Sequence, residues 1–127
     1  MDQQALQATA LFEGMSEAEV EESAAAFEPK RVFMGEELTR EGDFGYSFFV
    51  VLSGRVRVEI GGESVAELEA GDHFGEVALV NGDKRNATVK ALETSELAKI
   101  MTWDFQELLE TNPTLAGRLK AVAQERA

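Results

Sequence analysis

The sequence predicts a mainly β protein, a closed roll of strands with helices at both ends, and three observations carry that reading. Short apolar runs alternate with glycine-containing turns from Lys30 to Met101. One of these turns joins two segments of alternating pattern into a hairpin. Helical periodicity is confined to the two flanks of the chain.

The elements follow in chain order. Ser16 with Glu19 three residues later forms a capping-box pattern, and Val20, Ala24 and Phe27 follow on one helical face, so a first helix is expected over about 16–27. Pro29 ends that pattern, and the roll is expected over about 30–101, with turns at Gly35, Gly42, Gly45, Gly54, Gly61-Gly62, Gly71 and Gly82. Phe48 to Leu52 is a nearly continuous apolar run, the signature of a strand buried on both faces and the expected centre of the roll. Val56, Val58 and Ile60 alternate with Arg55, Arg57 and Glu59, and after Gly61-Gly62 the chain returns through Val65, Ala66 and Leu68 as a hairpin. Beyond Met101 helices are expected over about 103–126: Phe105, Leu108 and Leu109 share a face, Asn112-Pro113 starts a last helix, and Leu115, Leu119 and Val122 give it an apolar stripe.

Composition narrows the function. A chain of 127 residues, 44% hydrophobic and 28% charged, suits one folded domain. Twenty-four acidic residues against 12 basic ones give a net charge of -12, which disfavours direct nucleic acid binding or attachment to an anionic membrane. An anionic ligand would then need a specific donor site to overcome the repulsive field. No cysteine is present, so disulfides, cysteine zinc sites and thiol chemistry are excluded. The start Met1-Asp2-Gln3-Gln4 shows no export signal and no stretch approaches a membrane span, so a cytoplasmic location is expected.

The chemistry-bearing segment runs from Phe74 to Val89, where Gly75-Glu76 opens a helix-like turn and Arg85 follows nine residues after the glutamate. A helix start there would direct free N–H groups and the positive end of its dipole at an anion. Gly75 permits close approach of a ligand to the backbone. Arg85 offers a planar fork of donors to two phosphate oxygens, and Glu76 can accept from a sugar hydroxyl. Without a ligand, Glu76 would serve only as a favourable charge in a first helical turn, and Arg85 as a solvated ion pair with Asp83 or another of the many acids.

These residues are similar in order and spacing to the phosphate-binding cassette of cyclic nucleotide-binding domains, the modules of catabolite activator proteins, cAMP-dependent kinase regulatory subunits and cyclic nucleotide-gated channels. Phe74-Gly75-Glu76-Val77-Ala78-Leu79 followed by Arg85-Asn86-Ala87-Thr88-Val89 carries the resemblance, supported by Glu41-Gly42-Asp43, Phe48 to Gly54 and Gly71-Asp72, over roughly residues 10–125. It implies an eight-stranded antiparallel, jelly-roll-like β-roll that binds cAMP, or else cGMP, with no metal or other cofactor. Glu76 would hold the ribose 2'-hydroxyl and Arg85 the cyclic phosphate, with Gly75 and backbone amides near Val77, Ala78 and Ala87 assisting. In the family the residue after the arginine bears on base choice, and Asn86 stands there. Leu119 or Val122 on the last helix is the candidate lid over the base, the alternatives being ordinary packing of that helix on the roll or a dimer seam.

The expected activity is therefore sensing rather than catalysis, relayed to an effector protein or to a domain outside this chain. One histidine, His73, gives neither a catalytic triad nor a convincing metal site. Trp103 and Tyr46 offer aromatic faces to a base, and Trp103, at a helix start, is expected to pack in the core. The rival reading is a ligand-independent protein-interaction domain that keeps the same fold.

Overall fold

In a computed structural model, which describes residues 3–77 and 84–126, the predicted β-roll and its flanking helices are present. Ala78, Gly82 and Asp83 lie outside the described residues. The chain begins with α1 (Gln3–Gln7), a 3-10 turn (Ala10–Phe12) and α2 (Glu17–Ala26). Strands β1 (Glu28–Val32), β2 (Glu37–Thr39), β3 (Ser47–Ser53), β4 (Arg55–Ile60), β5 (Glu63–Glu69), β6 (His73–Phe74), β7 (Thr88–Ala91) and β8 (Ser95–Met101) follow, then α3 (Thr102–Thr111) and α4 (Pro113–Arg126). Two antiparallel four-stranded sheets result, ordered β1-β8-β3-β6 and β2-β7-β4-β5.

The local signals act where they were read. Ser16 caps α2: its Oγ accepts from Glu19 N at 3.2 Å, and Glu19 Oε1 accepts from Ser16 N at 3.2 Å. Pro29 is the second residue of β1, a strand at the edge of its sheet, where a missing N–H costs least. In the turn from β3 to β4, Gly54 has φ +90° and would place a Cβ 2.1 Å from Ser95 Oγ, so no side chain fits. The β4–β5 hairpin forms with a register shift between Val58 and Glu59.

Strand β3 divides two layers of core. Phe48 and Val50 point to the helices, packing with Phe12, Val20, Phe105, Leu115 and Leu119. Phe49 and Val51 point into the roll, packing with Val56, Phe74, Val89 and Leu97. Phe48 lies 5.1 Å from Phe105 and Phe49 stacks on Phe74 at 4.9 Å. An apolar run without alternation is what a strand with two covered faces requires.

Two expectations about the C-terminal helices need correction. Trp103 is 64% exposed rather than in the core. The face of α3 that docks carries Phe105 and Leu108, and at 100° per residue Trp103 falls well away from both. The buried stripe of α4 is Leu115, Leu119 and Ala123, with Val122 only half-buried. Val122 and Ala123 flank the Leu115–Leu119 line on opposite sides, about 20° and 80° from Leu115, and it is the Ala123 side that meets the core.

Candidate functional site

The residues Gly75, Glu76, Val77, Arg85, Asn86 and Ala87 line a single cavity of about 230 Å³ inside the mouth of the roll. Its opposite wall is apolar and comes from the hairpin: Val58 and Ile60 of β4 with Val65, Ala66 and Leu68 of β5. This explains why Val65, at 55% exposure, and Ile60, at 43%, remain uncovered; Ile60 continues the alternation of Val56 and Val58, whereas Val65 falls at the register shift opposite Val58 and Glu59. Their apolar side faces the cavity instead of a second layer of protein.

Arg85 is 7% exposed. Its main chain is pinned to the preceding loop, with Arg85 N donating to Asp43 O at 2.7 Å and Gly42 N donating to Arg85 O at 2.9 Å. Glu41 anchors the same loop to the hairpin turn by accepting from Gly61 N at 2.9 Å. The guanidinium donates from Nη1 to Gly75 O at 2.9 Å and from Nη2 to Ser47 O at 2.5 Å. Burial pulls its pKa below the ordinary arginine value, and the charge of Glu76 opposes that shift; an arginine remains charged throughout.

Gly75 makes this arrangement sterically possible. Its φ is +98°, and a Cβ would lie 2.8 Å from Arg85 Nη1 and 3.1 Å from Ser47 O. Beside it, Glu76 starts a helical turn with Val77 and is fully buried. Burial alone would raise its pKa, but His73 and Arg126 outweigh that effect and hold the carboxyl below its ordinary value. Arg126 Nη1 donates to Glu76 Oε1 at 2.5 Å. His73 Nδ1 lies 3.6 Å from the same oxygen, longer than a hydrogen bond. Glu76 Oε2 is buried without a hydrogen-bond partner among the described residues.

The lid candidates are elsewhere. Leu119 is fully buried among the helices, and neither it nor Val122 is among the residues lining the cavity. The residue of α4 that reaches the cavity is Arg126, which also donates from Nη1 to His73 O at 2.6 Å. Tyr46 and Trp103 are likewise not among the lining residues; both are largely exposed. His73 packs against Phe48 with ring centroids 5.5 Å apart. Asn86 donates from Nδ2 to the main-chain oxygen of Arg126 at 2.8 Å. Arg126 was missed because a single arginine in a polar C-terminal turn has no pattern to mark it.

Comparison with known proteins identifies the family and the fold. The family described as cyclic nucleotide-binding domain matches residues 29–112. A cyclic nucleotide-gated potassium channel of Rhizobium etli is 37% identical over 97% of this chain and 34% of its own length. The cyclic AMP receptor protein of Thermus thermophilus is 31% identical over 91% of this chain and 56% of its own. The crystal structure of the Thermus thermophilus catabolite activator protein superposes with a TM-score of 0.81, at 30% identity, over 91% of this chain and 57% of that one. The regulatory subunit of a cAMP-independent protein kinase A from Trypanosoma cruzi, bound to guanosine, has a TM-score of 0.83 at 25% identity over 95% of this chain and 44% of that one. The chain thus spans from about a third to just over half the length of these relatives. With the family's profile matched over most of the chain and the same roll in its structural neighbours, the protein belongs to the cyclic nucleotide-binding domain family.

Proposed function

We propose that this chain is a sensor that binds a cyclic nucleotide, cAMP ahead of cGMP, in the cavity between the cassette and the β4–β5 hairpin. The observation that carries the reading is the pairing of Glu76 and Arg85 in one apolar-walled cavity. Glu76 is buried with one oxygen lacking a donor, a costly state that a ligand hydroxyl would relieve. Arg85 brings a permanent, forked cation to the same space. A neighbouring hydroxyl and phosphate on one small apolar-faced molecule describe a nucleoside phosphate. A volume of about 230 Å³ lies just below the ~300–1,000 Å³ common for small-molecule pockets, which suits one nucleotide and not a dinucleotide.

In this reading the ribose 2'-hydroxyl donates to Glu76 and the cyclic phosphate accepts from Arg85 and from amides at Gly75, Val77 and Ala87, with Ala78 a further candidate outside the described residues. The base lies along Val58, Ile60 and Val65. No bond is made or broken: Glu76 is held ionised and Arg85 stays protonated, so the pair binds rather than exchanges protons. Signalling requires that the ligand favour one arrangement of cassette and α4 over another, a coupling typically worth ~1–3 kcal/mol. The output passes to an effector protein or to a domain outside this chain, as befits relatives of which it spans only part.

A melting-temperature panel tests the reading. cAMP or cGMP at a large excess over Kd should raise Tm, since a ligand at 100 times Kd stabilises by about 2.7 kcal/mol. Guanosine, the ligand of the Trypanosoma cruzi relative, and 5'-AMP should raise it less. A rise with guanosine and none with either cyclic nucleotide would replace the cyclic phosphate by a nucleoside as the ligand.

A further inference from the structure

Asn86 sits at the lip of the cavity, next to Arg85, and its side chain is committed to another element. Its Nδ2 donates to the main-chain oxygen of Arg126 at 2.8 Å, across 40 residues of chain. Arg126 is the last described residue of α4. From that tethered backbone the Arg126 guanidinium reaches inward to Glu76 Oε1 at 2.5 Å and to His73 O at 2.6 Å. Asn86, Arg126 and Glu76 therefore form one chain of contacts that ends on the buried carboxylate.

We propose that Asn86 is a positioning residue: its amide holds the last turn of α4 so that Arg126 stays on Glu76, and it affects nucleotide affinity through Arg126 rather than by reading the base. The nucleotide part rests on the function proposed above. Removing the amide leaves the Arg126 carbonyl without this donor and unties the Arg126 end of α4 from the cassette. Arg126 then loosens from Glu76, and a buried carboxylate without its cation is a poorer, more easily protonated acceptor. Ribose is common to cAMP and cGMP, so both ligands lose affinity by the same factor.

The test uses the full chain with Asn86→Ala, Asn86→Asp, Arg126→Ala and the double variant Asn86→Ala with Arg126→Ala. Amide hydrogen exchange of residues 119–126 in the ligand-free protein should accelerate in Asn86→Ala and in Asn86→Asp, which keeps the shape but loses the donor. Binding of cAMP and of cGMP should each weaken about threefold to tenfold in Asn86→Ala, the range of one lost hydrogen bond. In the Arg126→Ala background the same change should cost less than about twofold more, because the two residues act as one unit. Unchanged exchange in the last turn overturns the proposal. So does a shift in the cAMP to cGMP ratio that persists in the Arg126→Ala background, which would make Asn86 a direct reader of the base. Accelerated exchange with no binding of either nucleotide to the unsubstituted chain would uphold the tether and refute the proposed ligand instead.

Discussion

Replacing Gly75 with alanine tests the geometry that places Arg85. The residue has φ +98°, and the added Cβ would stand 2.8 Å from Arg85 Nη1, 3.1 Å from Ser47 O and 3.5 Å from Phe48 Cα. Holding a non-glycine residue in that conformation costs ~1–3 kcal/mol. The guanidinium can yield, being the end of a flexible side chain, but moving it breaks the 2.9 Å bond to Gly75 O and strains the one to Ser47 O. A lost hydrogen bond from a charged donor is worth ~1.5–3 kcal/mol. The combined loss is about 2.5–6 kcal/mol, a large part of the ~5–15 kcal/mol available to a domain. Urea denaturation of the two proteins at pH 7 measures it, with nucleotide affinity falling in parallel because Arg85 is displaced. A loss below ~1 kcal/mol would refute the claim that Gly75 is required by backbone and guanidinium together.

Other consequences follow from the same contacts. The pKa of Glu76 is lower in the folded protein than its ordinary value of 4.5, so its contribution to stability is present above that value and is lost as pH falls through the folded pKa. Denaturation midpoints measured from pH 6 downward should show this acid loss, and Glu76→Gln should flatten it. Leu119→Ala should cost ~2–5 kcal/mol as a core truncation, whereas Trp103→Ala should stay within ~0.5 kcal/mol as a surface change. Thermal unfolding of the pair reads both, and the opposite ranking would return Leu119 to the lid and Trp103 to the core.

What could be read from the sequence was whatever depends on near neighbours in the chain. The Ser16–Glu19 capping box, the Val56 to Leu68 hairpin and the run from Phe48 to Val51 each express a local rule, and each element forms as expected. The cassette was legible because Gly75, Glu76 and Arg85 stand at short, fixed spacing. Trp103 was misplaced because a helix start does not reveal which face docks; that was settled by Phe105 and Leu108. The engagement of Glu76 by Arg126 and of Arg126 by Asn86 joins residues 50 and 40 positions apart. No periodicity encodes such contacts, since they depend on where the end of α4 comes to lie. Ile60 was legible as part of the alternating face of Val56 and Val58, but alternation alone does not tell a core from a cavity wall.

Calorimetric titration of the chain with cAMP and cGMP, beside Arg85→Ala, tests the central claim most directly. The account predicts saturable binding of a cyclic nucleotide at one site per chain, weakened by about 30-fold or more in the variant, the equivalent of losing at least ~2 kcal/mol from a buried charge partner. Binding that is equally tight in Arg85→Ala, or no binding of either nucleotide, would contradict it and leave a shared fold turned to protein recognition.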